Sequence, residues 1–286
     1  MRALCFGIAV GLALPAADGA TGAARAAQES PSREQDDLRQ TVLDLKRRVA
    51  AVPRDRDAQV RLAEALLALL QGSDAEAALD AALAAGAARQ DVLLPLMRAW
   101  LQQRRFEHLL ATSRPMPFDD PERHAQWVAL RGIAELRRGD DAAARVAFQE
   151  ALALIPKQID ALLGSAELAL GHGDTEAAHA LLEAATRSHP QSAAAWEQLA
   201  DLDYRLGDLR AAERSLAMAV ISAPNPWIPR LKRALVRMDL GELASASAEL
   251  ERIEAAWPNF PALHLARGIL QLAEGELRGV AERLGK

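Results

Sequence analysis

The chain has one cysteine, one tyrosine and no excess of positive charge, and each shortage closes off a class of protein. A lone thiol, Cys5, excludes a disulfide framework and a cysteine-built metal site within one chain. Aromatic residues make up only 4% of 286 residues, too few for a β core built on bulky side chains. The formal net charge is −5, so the basic footprint expected of a nucleic-acid binder is missing. The pairs Arg47-Arg48, Arg104-Arg105, Arg137-Arg138 and Lys232-Arg233 read as solvated charges at helix ends or on polar faces. Long apolar runs are also scarce. Ala3 to Leu14 runs apolar and uncharged, but it is short of an ordinary membrane span.

Catalytic signatures are missing too. The histidines 108, 124, 172, 179, 189 and 264 lack metal-ligand spacing, and His172 and His179 straddle Gly173. No glycine-rich phosphate loop and no Gly-x-Ser-x-Gly elbow occurs. The expectation is a protein that is not an enzyme and carries no cofactor or metal.

What the chain does have is a period. Gly139, Gly173, Gly207, Gly241 and Gly275 stand 34 residues apart, as do Pro156, Pro190, Pro224 and Pro258, and Ala144, Ala178, Ala212 and Ala246. Three residue types on one clock imply a stacked repeat. In residues 193–226, Trp196 and Leu199 share a helix face and Ala200 marks a close approach to a second helix. Gly207 ends the first helix in a left-handed conformation, and Asp208 caps the second, worth about 1 kcal/mol. Ala212 is the second close contact, Leu216 and Ala219 fill the gap to the next repeat, and Pro224 stops the hairpin.

These slots resemble the tetratricopeptide repeat (TPR) pattern, aromatic, Leu, small, Gly-Asp, Ala, large apolar, Ala and Pro in order. The family's tyrosine slot is the exception, holding Asp203 with Tyr204 beside it. The resemblance runs over roughly 57–286 and is strongest from 125. It implies an all-α fold: a TPR-type α-α superhelix, a solenoid of antiparallel helix pairs with the first helix of each pair lining a concave groove.

The expected organisation starts with a signal peptide over 1–26: Arg2, an apolar stretch, Pro15, then the small-x-small site Ala24-Arg25-Ala26. Cleavage after Gly19 is the alternative. The protein would then be periplasmic or secreted, with no integral span in the mature chain. Cys5 is set aside as a lipid anchor because only Met1 to Leu4 precede it and Arg2 stands among them. Residues 27–52 form a polar segment and a helix whose stripe of Leu38, Val42, Leu45 and Val49 suits a capping helix, or a short coiled-coil seam. Residues 57–111 read as two degenerate helix pairs, with Gly72 and Asp74 marking a turn and Trp100 and Phe106 near aromatic slots. Residues 112–124, with Pro115, Pro117 and Pro121, form a proline-rich loop and a candidate bend or hinge. Four full repeats and a truncated fifth fill 125–286.

The groove-facing candidates are Leu130, Ile133, Arg137, Asp160, Leu163, Glu167, Glu197, Asp201, Tyr204, Arg205, Leu231 and Leu235. They combine apolar surface with acidic spots and lack the Lys/Asn set that clamps a C-terminal carboxylate in some TPR proteins. An extended peptide or partner helix with basic residues is therefore expected. Trp257 and Phe260 are expected to pack between the last repeats. A homodimer through the apolar edge of the last repeat (Ile269, Leu272, Leu277, Val280) is the second reading. The wording Trp127-Val-Ala-Leu-Arg-Gly132 and Asp160 to Asp174 is also similar to exosortase (PEP-CTERM)-associated TPR proteins, although this chain is far shorter and lacks a convincing lipobox. That likeness implies an exported scaffold in exopolysaccharide or protein-sorting assembly.

Overall fold

The computed structural model describes residues 33–113, 118–223, 227–256 and 261–284. The leader-like residues 1–26, Pro115, Pro117, Pro224, Trp257, Pro258 and Phe260 lie outside them. The described residues form helices joined by short turns, without a strand. The chain divides into two compact units, one of residues 36–188 and one centred on 189–286.

In the first unit, α1 (Arg33–Ala51) precedes four hairpins. They are α2 (Arg56–Ala68) with α3 (Gly72–Ala84), α4 (Arg89–Gln102) with α5 (Phe106–Thr112), α6 (Pro121–Arg138) with α7 (Asp141–Leu154), and α8 (Ile159–Gly171) with α9 (Thr175–Ser188). Val42 is buried and Leu38, Leu45 and Val49 pack on the same core, so the stripe of α1 covers the end of the stack. The second unit holds α10 (Ala193–Leu206) with α11 (Leu209–Ser222), α12 (Trp227–Asp239) with α13 (Leu243–Ala256), and α14 (Pro261–Leu284).

One turn closes every hairpin. The residue after the first helix bonds back three positions, and the next N–H reaches back five, as in Gly139 N to Leu136 O and Asp140 N to Glu135 O. This is the Schellman closure, which needs a left-handed residue. Gly139, Gly173, Gly207 and Gly241 supply it with φ of 85°, 78°, 84° and 78°. Asp140, Asp174 and Asp208 then accept from the backbone N–H three residues on. Ala144, Ala178, Ala212 and Ala246 are completely buried at the helix contacts.

The same bonds identify the hairpins of 57–111. Leu70 N bonds to Leu67 O and Gln71 N to Leu66 O; Arg104 N bonds to Leu101 O and Arg105 N to Trp100 O. The left-handed residues are therefore Leu70 (φ 59°) and Arg104 (φ 58°), not glycines. They stand 34 apart, and Arg104 precedes Gly139 by 35, so the clock slips by one residue between these turns. Gly72 is not the turn residue: it opens α3, where a Cβ would lie 2.9 Å from Ala99 O. Leu70 is 77% exposed and loses little packing if shortened. Leu70→Gly removes a left-handed cost of about 1–2 kcal/mol against a glycine entropy cost of about 0.5–1 kcal/mol. The urea midpoint should rise, and so should that of Arg104→Gly. Unchanged or lower midpoints in both would contradict this turn assignment.

Two further expectations change. Pro121 does not belong to the loop but opens α6, with Asp120 accepting from Glu122 N. Proline is at home there because the first turn has no partner for its missing N–H. The stretch around it is tied into the first unit rather than placed at the division between units. Trp127 Nε1 donates to Ser113 O at 3.0 Å, Arg131 reaches the same carbonyl at 3.3 Å, and Phe118 is buried. Gly275, fifth on the clock, lies within the continuous helix α14 and makes no turn.

Candidate functional site

The first helix of each hairpin in the first unit contributes to one hollow of about 400 Å³. Its lining is Leu67 and Ala68 of α2, Arg98, Leu101 and Gln102 of α4, Leu130 and Ile133 of α6, and Asp160 of α8. No second helix contributes to the lining. The hollow is mainly apolar with one ion pair, Arg98 Nη2 to Asp160 Oδ2 at 3.1 Å, and Gln158 Nε2 donates to the same oxygen at 3.2 Å. Asp160 is the more sheltered partner, its side chain 17% exposed against 43% for Arg98. Further along α6 and α8, Arg137 and Glu167 form a two-pronged ion pair.

Of the groove candidates in this unit, Leu130, Ile133 and Asp160 line the hollow. Arg137 and Glu167 meet each other instead, and Leu163 is half-buried outside the lining. Leu67, Ala68, Arg98, Leu101 and Gln102 were missed because the early repeats had no fixed register. The signal was present: Leu67 to Leu101 and Ala68 to Gln102 are both 34-residue steps.

In the second unit, the candidates on α10 meet α12 through charge. Lys232 Nζ donates to both oxygens of Asp201 at 2.9 Å and lies 3.6 Å from Glu197 Oε2. Burial pushes both carboxyls above the ordinary carboxylate range; the Lys232 charge opposes this without cancelling it, and the Asp201 charge adds to the rise at Glu197. Tyr204 donates its hydroxyl to Asp239 Oδ2 at 2.6 Å, and Arg205 is exposed.

Lys232 corrects the reading of its basic pair. It is only 3% exposed, drawn inward by two carboxylates. Glu197 and Asp201 are thus already engaged, and do not form a free acidic spot. Leu231 and Leu235, 4% and 5% exposed, are core residues with little surface to offer a partner. Among the described residues, no group of three or more His, Cys, Asp or Glu is placed to hold a metal ion.

Hairpins closed by one repeated turn, with small residues at the contacts and first helices around a hollow, define a helical-repeat scaffold for protein–protein interaction. The particular repeat is the tetratricopeptide repeat: its family model matches residues 135–197 and 169–237, and this stretch is tetratricopeptide repeat sequence. The fold resembles a chain in the crystal structure of the APC/C hetero-tetramer Cut9–Hcn1, at 16% identity and a TM-score of 0.56 over 84% of this chain. This chain covers 46% of that one, under half its length. It also resembles a tetratricopeptide repeat protein from Parabacteroides merdae, at 16% identity and a TM-score of 0.52, over 85% of this chain and 100% of that one. At such identities the likeness concerns the fold alone. No curated protein sequence matches this chain. Among the described residues, no helix is long and apolar enough to cross a membrane.

Proposed function

We propose that the protein is a non-enzymatic scaffold of the bacterial envelope whose hollow on α2, α4, α6 and α8 holds an extended peptide or a helix of a protein partner. The observation that carries this is the lining itself: the half-buried Leu67, Leu101 and Ile133 form an apolar floor beside the Arg98–Asp160 pair, with the buried Leu130 beneath it. Such a site anchors one or two apolar side chains, and the ion pair orients the polar backbone or side chains next to them. Apolar anchoring replaces the basic partner expected from the acidic candidates, since Lys232 already serves Glu197 and Asp201.

Export is part of the proposal and rests on the leader-like pattern of residues 1–26; the mass of the mature N-terminus tests it. The link to exopolysaccharide or exosortase assembly rests on the sequence wording of residues 127–132 and 160–174.

The test of the hollow uses a photo-crosslinking residue at position 133 and, as control, at Val146, which is 63% exposed on a second helix. A partner should be captured from position 133 and not from 146. Ile133→Asp should weaken binding of that partner at least about tenfold, roughly 1.4 kcal/mol. Equal capture from both positions, or unchanged affinity in a folded Ile133→Asp protein, would remove the hollow as the site.

A second reading is self-association through α14. Leu265 and Leu272, seven residues apart, are 45% and 65% exposed. Light scattering decides it: a monomer at high concentration speaks against it.

A further inference from the structure

One seam in the second unit breaks the chemistry of the repeat. A 34-residue step carries Trp196, Leu199 and Asp203 of α10 onto Arg230, Arg233 and Arg237 of α12, and Ser215 of α11 onto Glu249 of α13. Where the earlier hairpin has an indole, a leucine and a Ser215–Asp203 contact at 3.5 Å, this one has three guanidinium groups around a carboxylate. Arg252 of α13 makes a fourth.

Glu249 is completely buried and cannot balance them. Its Oε1 accepts from Arg233, from Arg252 at 3.0 Å and from Arg237 at 3.4 Å, and its Oε2 from Arg230 at 3.2 Å. Glu213 of α11 takes a further share of Arg237 at 2.7 Å. Four guanidinium groups, three of them sheltered and Arg252 60% exposed, thus share these two carboxylates. The other acidic side chains described on α12, α13 and their turn are committed elsewhere: Asp239 to Tyr204, Glu242 to Arg210, Glu251 to Ser247 and Glu254 to Arg267. Arg233 Nε is buried without a hydrogen-bond acceptor. Side-chain exposures of 20% for Arg237, 25% for Arg230 and 60% for Arg252 leave the cluster open on one side.

Guanidinium groups crowded together and partly sheltered from water repel one another, and an added anion relieves that cost. Guanidinium forks match carboxylate and phosphate oxygens in pairs. We propose that the α12–α13 seam is an oxyanion-binding site in which Arg230, Arg237 and Arg252 take a phosphate or carboxylate group, with Glu249 supplying part of their counter-charge and so competing with the bound anion. The site is separate from the hollow of the first unit and stands whether or not that hollow binds a peptide.

An anion that binds only the folded chain raises its stability in a saturable way. The experiment measures the thermal midpoint of the full chain in sodium phosphate, sodium acetate and sodium chloride at matched ionic strength, with phosphate binding followed by titration calorimetry. Because phosphate also stabilises proteins non-specifically, the comparison is between variants. The midpoint gain in phosphate over chloride should be smaller in Arg230→Gln/Arg252→Gln than in wild type, and larger in Glu249→Gln, whose arginines have lost their counter-charge. Gains in phosphate alone or in acetate as well both support the site and assign the oxyanion it takes. Equal gains in all three proteins, or no saturable heat with the wild-type chain, overturn it. Should the double variant not fold, wild type against Glu249→Gln still decides, since Glu249→Gln must respond more strongly.

Discussion

Phe148→Ala will lower stability by about 3–5 kcal/mol, the cost of emptying a large aromatic site in a core that cannot close over it. Phe148 is 1% exposed on α7, between two glycines on the flanking first helices. A Cβ at Gly132 would stand 2.7 Å from the ring, and one at Gly164 would also collide with it. Both glycines, far from any turn, therefore serve to admit the ring. The loss should appear in urea denaturation and in faster hydrogen exchange of α7 amides, because repeats can open locally. A cost below about 1 kcal/mol would show that the ring is not the keystone of this hairpin. Gly164→Ala alone should destabilise by overpacking, but in the Phe148→Ala background it should be neutral or stabilising. That sign change across a double-mutant cycle is specific to direct contact.

Lys232→Met will cost about 3–5 kcal/mol near neutral pH, because removing one member of a buried ion cluster strands the others. The stranded groups are Glu197 and Asp201. In the wild-type protein burial already raises both, so over the pH range between their unfolded and folded values the folded state binds more protons than the unfolded one. Their contribution to stability is fully present below the ordinary carboxylate range and is lost as pH rises through the raised values. Without Lys232 both rise further. The difference between variant and wild type should therefore be largest at about pH 7.5 and shrink at about pH 4.5, where the carboxyls take up protons instead. Urea midpoints at the two pH values test this, and a difference independent of pH would contradict it. Glu76 and Glu249 behave in the opposite sense. Burial raises them too, but it is outweighed by hydrogen bonds and charge, from Gln103, Trp100 and Arg105 at Glu76 and from Arg233 and Arg230 at Glu249. Their contributions are lost as pH falls, which is why only the difference from wild type is diagnostic.

The repeat was legible from residue 125 because a left-handed turn and a close helix contact each admit few residue types. Gly139, Asp140 and Ala144 announce both. The early hairpins were harder to place because Leu70 and Arg104 occupy the turn position against their own preference, leaving no glycine to read. The hollow was half legible: Leu130, Ile133 and Asp160 followed from the period, whereas Arg98 and Leu101 needed the register that those turns conceal.

Charge was the least legible property. A lysine or arginine in one sequence carries no mark of whether it meets water or a carboxylate 30 residues away. Lys232 next to Arg233 looked solvated, yet its partner Asp201 arrives from the preceding hairpin. By itself the sequence determined the helices, their pairing and the small-residue contacts, because these depend on local backbone geometry repeated on a 34-residue clock. Only the tertiary structure decided which charges are buried together, that Gly275 lies within a helix, and that the first helices of the first unit leave a space, since each depends on which side chains distant segments bring to the same place.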